Sequence, residues 1–168
     1  MTAAVAPVGS ELVALLADEL GLYDQLLDLA RREREAVLGP DPGQLERVVA
    51  AKESLIAQVG RLEARRREWI ADWARAAGVD PAGLTLSGLA ALLPSEVASE
   101  LDAAGERLLA RVRELGELSF RNRNLVSSAL NVVSRRLDAY NRITTQLGYK
   151  ASGATVKSAA TALLDLRA

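Results

Sequence analysis

A chain of 168 residues, 49% hydrophobic but only 4% aromatic, can bury a core of ordinary domain size and must build it mainly from aliphatic side chains. A formal net charge of −1 excludes a global attraction to nucleic acid or acidic membranes. The absence of both Cys and His excludes disulfides, thiolate nucleophiles, imidazole bases and the Glu-x-x-His motif of di-iron bundles.

Abundant Ala, Leu, Glu and Arg favour long helices. The expected class is all-α: a single domain over 1–168, built as an elongated antiparallel three-helix bundle or coiled coil with a long third helix and a short C-terminal helix. The start "MTAAVAPVGS" lacks the basic segment and apolar core of a signal peptide, and no apolar run reaches transmembrane length. A cytoplasmic protein is expected, with at most indirect membrane association.

Ser10 is a good N-cap with Glu11 in the first turn, which predicts a first helix over 10–38. "GPDPG" then breaks the chain. Asp41 can cap the next helix, Pro42 suits its first turn and Gln44 occupies the capping-box position, predicting a second helix over 42–77 and a tight antiparallel hairpin. Its seam reads Leu45, Val48, Lys52, Leu55, Val59, Leu62, Arg66, Trp69, Trp73, a coiled-coil-like spacing interrupted by Lys52 and Arg66. The Lys52 stem is expected to pack while its ammonium meets a carboxylate, with Glu33 across the hairpin as the candidate. The run "RLEARRREW" mixes both charge signs and reads as a solvated, salt-bridged face.

After "GVDPAG", the segment "TLSGLAALLPSE" predicts a short helix over 85–93 that closes the end of the bundle against Trp69 and Trp73. The third long helix is predicted over 95–147, with Gly105 and Gly116 as points of bending or close helix approach. At 1.5 Å per residue it reaches roughly 75 Å against about 45 to 50 Å for the hairpin helices, so part of it should overhang or fold back. Tyr149 to Gly153 reads as a loop, followed by a tail helix over 154–166.

The distal stretch "SFRNRNLVSSALNVVSRRLDAY" is unusual. Leu125, Val126, Ala129, Leu130, Val132, Val133, Leu137 and Tyr140 cover roughly 160° of a helical wheel, wider than the stripe needed to pack on one neighbour. Asn124 and Asn131 point away from this arc, whereas Asn122 and Arg136 fall inside it and need partners if the surface is covered.

These residues carry a resemblance to the FlgN-type chaperones of flagellar type III export. The family's order of Glu, Leu, Lys and Leu is similar to Glu33, Leu45, Lys52 and Leu55, and its Asn with an aliphatic pair to Asn122, Leu125 and Val126, with Leu130 next. Ser119 stands where the family tends to have a first Asn. Tyr149 and Gly153 in "YKASG" resemble a tyrosine and glycine motif, with Lys150 where a glycine is usual.

The resemblance implies binding without chemistry. A chaperone of this kind holds the C-terminal amphipathic helices of hook–filament junction (hook-associated) proteins and delivers them to the flagellar export gate. The implied client-helix face comprises Asn122, Leu125, Val126, Ala129, Val132, Val133, Leu137, Tyr140 and Ile143, anchored at helical spacings, with Tyr149 as the export-gate contact. The alternative is that the same residues are bundle core. A further alternative is that the tail helix, or a second copy of the chain in a homodimer, covers the face. No two catalytic groups form a recognisable constellation, so neither enzymatic activity nor a cofactor nor a metal is expected. The competing class is a non-enzymatic helical-bundle adaptor or structural coiled coil.

Overall fold

The computed structural model describes the backbone of residues 6–150 and the side chains of residues 9–144. Four α-helices follow in order: α1 (Ala6–Leu38), α2 (Pro42–Ala77), α3 (Leu86–Ala90) and α4 (Ser95–Lys150). No strand occurs among the described residues, and the all-α bundle class with its long last helix holds. Internal contacts divide the chain into two units whose boundary lies within α4, Met1–Val126 and Ser127–Ala168.

Local chemistry sets the sharpest boundaries. The Asp41 side chain accepts from the Gly43 amide at 2.9 Å, and Pro42 starts α2 where a missing N–H costs nothing. The second Asp41 oxygen takes the Arg47 guanidinium at 3.0 Å. At the other end Gly78 turns left-handed at φ 70, which lets the Val79 amide reach back to the Ala74 carbonyl at 2.9 Å. Thr85 caps α3 through its hydroxyl, which accepts from the Gly88 amide at 3.0 Å.

Partners along α1 fix the directions in the first unit. Trp69 donates to Glu11 at 3.1 Å, Arg66 to Glu19 at 2.8 Å and the Tyr23 hydroxyl to Glu63 at 3.4 Å. Numbers that rise on α1 fall on α2, so this is the expected antiparallel hairpin. On α4, Arg111 donates to Asp24 at 2.7 Å, and Arg31 of α1 donates to Glu114 at 3.0 Å, so α1 and α4 run the same way.

The core gathers where α3 meets the three long helices. Leu12, Leu16, Leu89 and Leu101 are essentially fully buried, with Ala90, Leu93, Ala104 and Leu108 around them and Trp69, Ile70 and Trp73 packed against the cluster. The two tryptophans therefore do pack on the short segment, as their spacing predicts. Each fully buried leucine contributes on the order of 1.5–3 kcal/mol relative to exposure. Within this seam Glu19 is completely buried, one oxygen on Arg66 and the other without a partner among the described residues. Burial, reinforced by the neighbouring Glu63 carboxylate, pushes the Tyr23 phenol above its ordinary pKa.

Two expectations change. The first helix begins at Ala6, a turn before Ser10, because Pro7 is as well suited to a first turn as Ser10 is to a cap. The last long helix runs to Lys150, so Tyr149 is helical and not in a loop; one glycine, Gly148, costs a helix only about 1 kcal/mol and does not end it. The tail helix over 154–166 lies outside the described residues.

The glycines of α4 are also reassigned. A Cβ on Gly116 would meet nothing within 4 Å, and one on Gly105 would make ordinary contact with Leu86 at 3.5 Å, so neither glycine marks a close approach. The close approach is at Gly9, where a Cβ would overlap the Val97 side chain.

Substitution separates these positions. Gly116→Ala should raise stability by about 0.5–1 kcal/mol through helix propensity. Gly9→Ala should instead lower stability, because overpacking costs about 1–3 kcal/mol and exceeds the same propensity gain. Denaturant unfolding of both variants against the parent chain checks the opposite signs.

Candidate functional site

The residues predicted to form a client-binding face divide into two groups. Leu125 and Val126 are half-buried in the first unit. Ala129, Val132, Val133, Leu137, Tyr140 and Ile143 are exposed, as is every described side chain over 127–144. Leu130, Val132, Val133, Leu137, Tyr140 and Ile143 are each more than half exposed. Seven, four and three residue steps connect them, so helical geometry brings them to one broad face of α4. Such a run of large apolar groups on one helix exceeds the singly scattered surface leucines that need no explanation.

Asn122 belongs elsewhere. It is only 3% exposed, and its amide donates to the Ala30 carbonyl at 2.6 Å and to Glu33 Oε2 at 2.8 Å. The same Glu33 oxygen accepts from Lys52 Nζ at 2.7 Å. The pairing of Lys52 with Glu33 is the one read from the hairpin seam. Its third member was not legible: an amide inside an apolar arc signals that something covers it, and the covering group turns out to be α1. Asn122 is therefore a bundle residue joining α4 to α1, set apart from the exposed apolar run.

Glu19 was also missed. Arg66 announces itself as a charge in an apolar seam, but its partner sits singly among Leu12, Leu15, Leu16 and Leu20, where no pattern marks it. The side chain of Tyr149 lies outside the described residues. The clefts of the first unit are open interhelical grooves; one of about 560 Å³ is lined by Leu86, Leu109 and Val112 together with Arg66, Asp102 and Glu106. No helix among the described residues is long and apolar enough to cross a membrane.

Residues that resembled a family motif thus meet in space, with Glu33, Lys52 and Asn122 on one oxygen. The family model described as FlgN protein matches residues 8–157. The chain belongs to the FlgN family. The match takes in all of α2, α3 and α4 and nearly all of α1, including the exposed apolar run. Neither the curated proteins nor the solved structures hold a significant match to this FlgN chain. FlgN proteins are flagellar export chaperones, which accords with a structure organised around a helical bundle and an unburied apolar helix face.

The two groups of residues should respond differently to truncation. Glu33→Ala leaves the partly buried Lys52 without its carboxylate and the buried Asn122 with one acceptor fewer, and should cost about 3 kcal/mol. Asn122→Ala should cost about 1–3 kcal/mol, because a buried side chain that donates to both Glu33 and the Ala30 carbonyl is lost. Val133→Ala should change stability by less than about 0.5 kcal/mol. Urea unfolding midpoints of the three variants, with unchanged slopes, provide the measurement.

Proposed function

We propose that this chain is a cytoplasmic export chaperone that holds the C-terminal amphipathic helices of hook–filament junction proteins on the distal face of α4. The observation that carries the reading is the set Ala129, Val132, Val133, Leu137, Tyr140 and Ile143, exposed along one face of a chain of the FlgN family. An amphipathic helix laid on that face buries the apolar side of both partners. Its anchors at i, i+3, i+4 and i+7 match the spacing of the receiving residues. While covered, the client's helix is kept from self-association, and the complex travels to the export gate. Tyr149 is the contact proposed for that last step.

A structural adaptor would use the same surface for permanent self-assembly, whereas a chaperone exchanges whatever contact it makes there for the client. Calorimetric titration with a synthetic peptide of the C-terminal helix of a hook–filament junction protein distinguishes them. Saturable binding with a negative heat-capacity change is the expected outcome. Val133→Asp, which buries a carboxylate against the peptide, should weaken that binding by about tenfold or more while leaving the unfolding midpoint unchanged. A well-folded protein that self-associates with rising concentration and never binds peptide would establish the adaptor reading instead.

The gate step has its own test. Tyr149→Ala should abolish capture of the chaperone by export-gate proteins in a pull-down while the peptide affinity stays as in the parent chain. Loss of both, or of neither, would remove Tyr149 from the gate.

A further inference from the structure

The apolar face of α4 contains a charge that nothing nearby on the helix neutralises. Arg136 lies on the wheel between Ile143 and Ala129. The residues three, four and seven positions away are Ala129, Val132, Val133, Ala139, Tyr140 and Ile143, all apolar or aromatic. No carboxylate therefore stands where an intrahelical ion pair could form. Arg136 is exposed and makes no ion pair among the described residues.

The surrounding charge has the same sign. Over residues 127–144 the charged side chains are Arg135, Arg136 and Arg142 against Asp138 alone, in a chain whose net charge is −1. Arg135, Arg142 and Asp138 lie together on the side of the helix away from the apolar face, Asp138 three residues from Arg135 and four from Arg142, so among these described residues Arg136 is the charge that falls within the face. A guanidinium inside an apolar contact keeps its hydration only while the face is open. Once another helix covers it, an anionic acceptor must replace the lost water.

We infer that the occupant of this face is an amphipathic helix carrying a carboxylate within its own apolar stripe, which pairs with Arg136. The inference rests on the client-binding reading and adds the recognition chemistry to it. Shape alone would accept any amphipathic helix, since leucine spacing is common to them all. The arginine rejects those that bring a purely apolar stripe, because their binding would desolvate a cation without compensation. Arg suits the task better than Lys because its planar fork can engage both carboxylate oxygens.

The test uses the full chain and peptides of the C-terminal helices of hook–filament junction proteins, titrated calorimetrically. Arg136→Met keeps the stem and removes the charge, and should weaken binding by about tenfold or more because the peptide carboxylate loses its partner. Arg136→Lys should recover part of that loss. Arg136→Glu should bind least, and a peptide whose stripe carboxylate is replaced by Arg should restore its binding. The charge-swap rescue distinguishes pairing from a change in fold, which circular dichroism of each variant monitors.

If the parent chain and Arg136→Met bind the peptide equally, or Met binds more tightly, the arginine merely reaches past the contact to solvent and the pairing is overturned while client binding stands. If the parent chain binds no peptide, the client reading itself fails. Arg136-dependent binding to vesicles containing phosphatidylglycerol, without peptide binding, would assign the face to an anionic membrane, and Arg136-dependent self-association would assign it to a second copy. Either result overturns the inference.

Discussion

One carboxylate oxygen holds three helices in step. Glu33 Oε2, on α1, accepts from Lys52 of α2 at 2.7 Å and from Asn122 of α4 at 2.8 Å. Aliphatic seams are forgiving, because sliding one helix past another by a full repeat exchanges one leucine for the next at little energetic cost. A partly buried acceptor with two donors is unforgiving, since any slip separates charged and polar groups that have left water. Asn122 strengthens the constraint by also donating to the Ala30 carbonyl, so the same side chain measures position along α1 at two points. Glu19 with Arg66 repeats the device nearer the α3 end, between α1 and α2 only.

Much of this organisation was readable before any coordinates. The α2 boundaries were clear because Asp41, Pro42 and Gly78 each impose a specific backbone state at the break. The start of α1 and the end of α4 were not, since Ser10 and Gly148 are weak local signals that a growing helix overrides. The Glu33 and Lys52 pairing was legible because a charge at a seam position must find an opposite charge within reach. Glu19 stayed hidden because one acidic residue in a leucine-rich helix looks like an ordinary surface position. For the candidate site, the width of the apolar arc marked the stretch of α4 whose side chains are exposed over 127–144. Periodicity records which residues share a face but not what lies against that face, and so it placed Asn122 with Val133 although one is covered and the other open.

The exposed stretch of α4 also has a distinct energetic character. Over 127–144 no described side chain is buried, so tertiary packing contributes nothing to helix formation there. The local composition is unhelpful too, with Ser127, Ser128, Asn131, Val132, Val133, Ser134, Asn141 and Thr144 all weak helix formers. The Thr144 hydroxyl even turns back onto the Tyr140 and Asn141 carbonyls, at 3.1 and 3.0 Å. A partner that buries the apolar side supplies the term this segment lacks, which links recognition to local order. The bundle behaves oppositely: its leucine cluster and polar register make it stable without a partner.

Both tryptophans of the chain, Trp69 and Trp73, sit beside α3 in the first unit, and the second unit has Tyr140 and Tyr149 as its aromatic residues. Indole emission therefore reports on the core cluster beside α3. Melting of that cluster will quench or redshift it, whereas the second unit's own emission is the weaker phenolic emission of its tyrosines. A tryptophan written into the exposed face of α4 would give the second unit an indole signal of its own.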